Sequence, residues 1–346
     1  MRTLYCGLDL HSTRCHVVVI DKDANVLHDR SFPTSAENLV EVFSSLDGKL
    51  MIHMEVSELA GWTRMVLLEE VPQAREVIVS DAKQFSWIAK DPHKGDRLDA
   101  WKLAEYMRLG RTHPVFYPED ENLAVFKKTV QHYEDITSQQ AALKQKIKAR
   151  LRVEGVICEG KAAYSQGGRE QALSLIEDSF LREAVAQLYQ LLDHALQFQE
   201  QALELMERQG RRFPVIQRFQ AVPGIALKLA CRFVGYIQNP HRFATKQKLW
   251  CYCRLGITDR GSNGKPLGYS RLDPNGNGRL KDLSRKAFET AVFRRKDDNA
   301  FKRFYEASLR RTHDEVNARL NTQRKILETL WIMWKKGTEY DDSYMG

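Results

Sequence analysis

Along the first part of the chain, short apolar runs rich in β-branched residues alternate with amphipathic stretches. "TLYCGLDL", "CHVVVID" and "VLHDRSF" read as three strands, and the "DKDAN" turn between the second and third predicts an antiparallel start. "TSAENLVEVFSSL" follows, with apolar residues at helical spacing behind an N-cap at Ser35 or Thr34. "KLMIHMEV" predicts a fourth strand, "ELAGWTRMVLLEE" a helix and "REVIVSD" a fifth strand. A last helix begins near Asp96, in "KGDRLDAWKLAEY".

The order β-β-β-α-β-α-β-α predicts an α/β domain of the RNase H-like kind over residues 1–110. Turn formers in "GRTHPVFYPEDE" then read as a linker, and the rhythm changes to apolar residues every three or four positions. "NLAVFKKTVQHYEDITSQQAALKQKIKARLRVEG" and "GREQALSLIEDSFLREAVAQLYQLLDHALQFQEQALELMERQG" predict two long helices. Joined by a short Gly-containing turn, they form an antiparallel coiled-coil hairpin suited to association, within a helical insertion over 111–211.

From 212 to 346 the pattern is mainly α. "FQAVPGIALKLACRFVGYI" places Val-Pro-Gly-Ile between two helices, like a helix-hairpin-helix turn. The stretch "GITDRGSNGKPLGYSRLDPNGNGRL", dense in Gly, Asn, Asp and Ser, reads as a long functional loop. Beyond it, Phe288, Phe293, Phe301, Phe304 and Tyr305 interleave with basic residues, and some of these rings must be core.

Composition narrows the partners. The chain has 53 Lys and Arg against 45 Asp and Glu, a net charge of +8, which favours a polyanionic partner. Candidate phosphate contacts are Lys144, Lys148, Arg150 and Arg152 on the first long helix, then Arg271, Arg279 and Lys281. The bland alternative for a basic helical run is a solvated face. No apolar run reaches the roughly 20 residues of a membrane span, and "MRTLYCGLDL" is no signal peptide, so a cytoplasmic protein without a membrane partner is expected. The six cysteines lack zinc-site spacing; Cys251 and Cys253 read as buried thiols.

Candidate chemistry lies in the acids. Asp9 ends the first strand, Glu55 lies in the fourth, and Asp96 and Asp99 share a face of the last helix of the α/β domain. Each has a plain explanation: Asp9 as a turn former, Glu55 as a solvent-facing acid, Asp96 as a helix cap and Asp99 as a dipole partner. In an RNase H-like sheet, however, all four converge. Such a group would repel itself unless divalent cations, about 4 Å apart in two-metal sites, neutralise it. Mg²⁺ is the expected ion, with Mn²⁺ accepted by the same hard donors.

The motifs "GLDLHSTRCHVVVID", "HMEVSELAGW", "VIVSDAKQF" and "KGDRLDAWKLAEY", together with "VPGIALKLACRFVGYIQNPHRFATKQKLWCYCRLGI" and "GYSRLDPNGNGRLKDL", resemble the insertion-sequence 110 family of DEDD transposases. That family includes the Piv-type DNA invertases, and the resemblance runs over nearly the whole chain. It implies a RuvC-like nuclease domain, a coiled coil and a helical C-terminal domain. It assigns catalysis and metal binding to Asp9, Glu55, Asp96 and Asp99. It also implies recombination of donor and target DNA guided by a structured non-coding RNA, in multimers whose subunits share composite sites.

One position departs from the family pattern. Where the family carries a nucleophilic Ser in an Arg-(Ile/Met)-Ser-Lys-x-Gly pattern, this chain reads Arg271-Leu272-Asp273-Pro274-Asn275-Gly276. Asp273 holds the Ser position; Ser270, and more weakly Ser262, are the replacement candidates. Two further readings stay open: a nucleic-acid-binding derivative that has lost strand exchange, and a junction-type nuclease needing only the four acids. A sugar-kinase or actin-like ATPase would also open with "GLDLHS", but the Gly-rich phosphate loops of those folds are missing from the sequence.

Overall fold

The computed structural model describes residues 2–81, 95–118, 120–262 and 265–342, with the backbone alone for 259–262 and 265–270. The chain divides into two compact units, Met1–Tyr117 and Pro118–Gly346.

The first unit is a mixed sheet with helices. Its strands are β1 (Thr3–Leu10), β2 (Arg14–Ile20), β3 (Val26–Pro33), β4 (Lys49–Glu55) and β5 (Ala74–Ser80). They lie in the order β3-β2-β1-β4-β5. β2 runs antiparallel to both neighbours, while β1, β4 and β5 are parallel. Helices α1 (Ala36–Ser44) and α2 (Ala60–Glu70) supply the crossovers, and Ser35 caps α1 by accepting from the Asn38 amide. Cys6 and Leu8 of β1 and Ile52 and Met54 of β4 point into one buried cluster with Leu39, Phe43 and Leu67 from those helices. The opposite face is covered by α3 (Asp96–Arg108), where Val18, Ile20, Ala100 and Ala104 form a small second cluster.

The second unit opens with α4 (Glu121–Val153), α5 (Gln166–Ser174) and α6 (Ser179–Gly210). The two long helices pair as expected, but no short turn joins them. The second predicted helix is broken between Ser174 and Ser179, where Asp178 accepts from the Leu181 amide at 2.9 Å and caps α6. "IEDSF" thus holds a helix start inside a stretch that reads as continuous by periodicity alone. Ile147, Leu151, Ala163, Ile176 and Leu192 close a core of their own at this end of the hairpin.

Helices α7 (Pro214–Phe219), α8 (Leu227–Ile237) and α9 (Lys246–Tyr252) come next, then α10 (Gly278–Phe288), α11 (Ala300–Thr312) and α12 (Glu315–Lys336). The expected long loop holds a hairpin, β6 (Ile257–Ser262) with β7 (Lys265–Leu272), hidden in the sequence by a lack of apolar alternation. Between α7 and α8 the Val222–Ile225 turn is buried. Gly224 adopts φ +84° there, and a Cβ at this position would stand only 2.3 Å from the Ala287 carbonyl oxygen. The exposed parts of the connection are Gln220 and Ala221 before this turn and Ala226 at the start of α8. Of the interleaved aromatics, Phe288 and Phe301 are core, whereas Phe293 is exposed and edges onto Phe288 and Tyr305. Cys253 is buried as expected, but Cys251 is exposed. Two positions along a helix turn by about 200°, so both thiols cannot face the core.

Glu134 anchors α4 to this unit. Its carboxylate is almost fully buried, accepts from Arg232 Nε at 2.6 Å and from the Tyr236 hydroxyl, and lies 3.3 Å from Arg279 Nε. Arg232 also reaches Asp282 at 3.3 Å. Burial and the Glu134 carboxylate together push the Tyr236 phenol well above its ordinary range, so it stays a hydrogen-bond donor. Among the described residues, no helix is long and apolar enough to cross a membrane.

Candidate functional site

The parallel strands β1 and β4 end at the same level. Leu8 pairs with Met54, so Asp9 and Glu55 are the next residue of each strand and meet at one edge. Alternation then puts Tyr5, Gly7 and Asp9 on one face of β1, and Met51, His53 and Glu55 on the same face of β4. This is the face that α3 covers.

Two features hold α3 there. A Cβ on Gly7 would stand 1.8 Å from the Ala100 carbonyl oxygen and 2.4 Å from the Ala104 amide nitrogen, so only glycine lets the helix lie this close. Beside it, buried His53 has Nδ1 2.8 Å from the Leu103 carbonyl and Nε2 2.9 Å from the Ser80 hydroxyl. Burial lowers the His53 pKa to about 4, so the ring is neutral at pH 7. A carbonyl only accepts, so Nδ1 carries the proton and Nε2 accepts from Ser80. Further out, Arg97 of α3 meets Asp29 of β3 at 2.5 Å, and His16 meets the other oxygen of that carboxylate at 2.8 Å.

Gly7→Ala should therefore lift α3 from the sheet and carry Asp96 and Asp99 away from Asp9. Overpacking of this kind costs about 1–3 kcal/mol. Thermal denaturation of the variant should show a clear loss of stability, together with loss of any binding that depends on the acids.

Of the four acids, Asp9 and Asp96 lie together with His11, and Glu55 and Asp99 are near enough to interact with Asp9 through their charges. Asp9 Oδ2 lies 3.2 Å from His11 Nε2, which lies 3.9 Å from Asp96 Oδ1. Burial raises the Asp9 pKa, and the charges of Asp96 and Asp99 raise it further, against a lowering by His11. Glu55 is raised by burial first and then by Asp9, Asp99 and Asp81. Lys102 stands 3.9 Å from Asp99. Asp96 is not the helix cap: Gly95 is, and it offers no side-chain bond. Capping therefore does not consume the Asp96 carboxylate, and both acids sit in the first turn, where the helix dipole favours negative charge.

His11 and Asp81 are the residues that sequence reasoning missed. His11 follows Asp9 by two positions, the spacing that returns a side chain to the same side of an extended chain. Asp81 directly follows Ser80, the partner of Glu55 on β5. The donor set suits a hard divalent cation: the Asp9 and Glu55 carboxylates are partly withdrawn from water and repelled by their acidic neighbours, a cost that a cation would relieve.

The candidate phosphate contacts are not brought together. Lys148 donates to the Gly160 carbonyl at 2.7 Å, and both Lys144 and Lys148 lie over the Tyr164 ring, so these two tie the end of the hairpin together. Arg150 and Arg152 occupy the last turn of α4, both exposed. Arg279 reaches Glu134, while Arg271 is exposed beside Asp273 and Lys281 is half-buried on α10. Asp273 is a turn maker here. Its Oδ1 accepts from the Asn275 amide at 2.8 Å and side chain at 2.9 Å, and its own amide donates to Gly256. The side chains of Ser262 and Ser270 lie outside the described residues.

Comparison with known families gives two matches. A DEDD transposase model of the IS110 group matches residues 6–154, and a transposase model of the IS116/IS110/IS902 family matches residues 216–306. No curated protein matches the chain. The first match contains all four acids, the second contains Asp273 and the hairpin before it, and together they span well over half of the sequence. The chain belongs to the IS110 family of transposases.

Proposed function

We propose that the protein is a metal-dependent DNA transposase whose strand cleavage centres on Asp9, Glu55, Asp96 and Asp99. The observation that carries this reading is the meeting of Asp9 and Glu55 at one sheet edge under the first turn of α3. The strand order, with β2 alone reversed, supports an RNase H-like (RuvC-like) module over residues 1–110. The coiled-coil insertion of 111–211 and the helical C-terminal domain of 212–346 complete it.

Asp9, Glu55, Asp96 and Asp99 would hold Mg²⁺ or Mn²⁺. A divalent ion bound there supplies positive charge to the phosphate under attack and makes an attacking hydroxyl more acidic. The chain's own contribution is preorganisation. Gly7 and His53 fix α3, burial keeps the edge of the sheet partly dry, and the repulsion among the acids favours cation uptake.

Guidance by a structured non-coding RNA is the expectation that the family resemblance raises, and the net charge of +8 is compatible with it. A homo-oligomer is supported by α6, where Leu191, Phe198 and Leu205 stand exposed at heptad spacing beside Ile136 and Leu143 of α4. For the covalent step, Ser270 remains the replacement nucleophile, since Asp273 is engaged in its turn. That engagement also favours a second reading, a nucleic-acid-binding derivative or nuclease without serine chemistry.

Both readings require phosphate contacts, and a salt titration tests them. Binding of a duplex carrying the element's ends should weaken with a log–log slope of about −0.9 per phosphate neutralised. Removing one contact, for example with Arg152→Ala, should flatten the slope by about one such step. An affinity indifferent to salt would contradict both readings.

A further inference from the structure

We propose that His11 is a metal ligand, making the Asp9–Asp96 side of the centre a mixed nitrogen–oxygen position that takes Mn²⁺ in preference to Mg²⁺. The inference rests on the metal-centred reading above and adds to it a residue that the four-acid pattern does not contain.

Geometry singles out His11. One donor atom each from Asp9, His11 and Asp96 lie within 4.8 Å of one another, the spread expected of side chains around a shared ion. Nε2 faces both carboxylates, at 3.2 Å from Asp9 and 3.9 Å from Asp96. The backbone that presents the ring is also held. The Thr34 hydroxyl donates to the His11 carbonyl at 2.8 Å, and the Thr34 amide donates to Thr13 at 3.1 Å. The stretch after β1 is thus pinned to the end of β3, on the side where Asp9 emerges. Arg97, the basic neighbour of Asp96 in the chain, is drawn to Asp29 instead. Among the described residues, the His11 imidazole is the nitrogen donor grouped with the carboxylates of Asp9 and Asp96.

Donor chemistry gives the consequence. Mg²⁺ prefers oxygen ligands and water, whereas imidazole binds readily to later divalent ions. On the β4 side Glu55, whose charge is made costlier by Asp99 among others, and Asp99 itself present oxygens alone. The two sides of the centre are therefore chemically unlike, and the His11 side confers the preference for Mn²⁺.

The test uses the full chain, stripped of metal with a chelator and loaded with Mn²⁺ alone. Pulsed electron paramagnetic resonance of the bound ion reads nitrogen coordination directly, without any activity measurement. The parent should show ¹⁴N coupling from a coordinated imidazole, and His11→Gln should lose it. Calorimetric titration should show the Mn²⁺ to Mg²⁺ affinity ratio falling about tenfold in His11→Gln, the lower end of what losing a supporting group around a metal costs. His11 is largely exposed, so this variant should fold as the parent does, which circular dichroism checks. If Mn²⁺ binds in a manner abolished by Asp9→Asn but without ¹⁴N coupling, or with coupling that survives in His11→Gln, the role of His11 is overturned and the metal centre stands. If Mn²⁺ does not bind, or binds equally to Asp9→Asn, both fall.

Discussion

Asp9→Asn should abolish strand cleavage while making the metal-free protein more stable. The loss follows from the position of Asp9, the acid that meets Glu55 at the strand ends and faces Asp96 across His11. Metal ions supply several kcal/mol of transition-state stabilisation, and each 1.4 kcal/mol is about tenfold in rate, so a drop on the order of 10³-fold or more is expected. The gain in stability follows from the raised pKa of the same group, caused first by burial and then by Asp96 and Asp99. A carboxyl whose folded pKa lies above its unfolded value favours folding when protonated. Its charge therefore costs stability once the pH is above the folded pKa, and costs nothing below the unfolded value near 3.8. In chelator at pH 7, Asp9→Asn should melt higher than the parent, and the difference should vanish as the pH falls toward the unfolded value. Divalent metal should raise the melting temperature of the parent and leave the variant almost unchanged. A variant that is both inactive and less stable would point to a structural role for Asp9.

Glu134→Ala should be among the most damaging single changes in the second unit. It leaves Arg232 buried beside a cavity, deprived of its 2.6 Å partner, and removes the acceptor for Tyr236. Breaking one side of a buried ion pair costs about 3–5 kcal/mol. The residual contact of Arg232 to Asp282, at 3.3 Å, places the expectation at the lower end of that range. Glu134→Gln keeps the shape and one acceptor oxygen, and should cost visibly less. Urea denaturation followed by tryptophan fluorescence, reporting on Trp250, Trp331 and Trp334 of this unit, checks the order of the three proteins. Equal midpoints would mean that the helical hairpin does not depend on this anchor.

Much of the candidate site was legible in the sequence because its residues sit where local patterns are strong. Asp9 and Glu55 close runs of apolar, β-rich residues, and Asp96 and Asp99 open a helix whose periodicity is plain. The face they share follows from alternation by two in the strands and by three or four in the helix. What escaped depends on tertiary contact. Gly7 looks like any glycine until α3 is laid on it, and His11 looks like a loop residue until Asp96 arrives from far along the chain. Glu134 and Arg232 are 98 positions apart, each plausible on a solvated helix face. The β6–β7 hairpin was invisible for a different reason. Its strands are held by backbone pairing without an apolar alternation to announce them, and its turn-forming residues read as loop. Asp178 was the opposite case, a cap residue concealed by a helical rhythm on both sides.

The most direct measurement of the central claim is recombination in cells. Protein would be expressed with the non-coding DNA flanking its gene and with donor and target plasmids, and new junctions counted by sequencing. Glu55→Gln and Asp99→Asn would run beside the parent at equal protein levels. A transposase centred on the four acids predicts junctions from the parent and none above background from either variant. Junctions at the parent's frequency from the variants would contradict it, because strand exchange would then proceed without the carboxylates that the fold gathers at this edge.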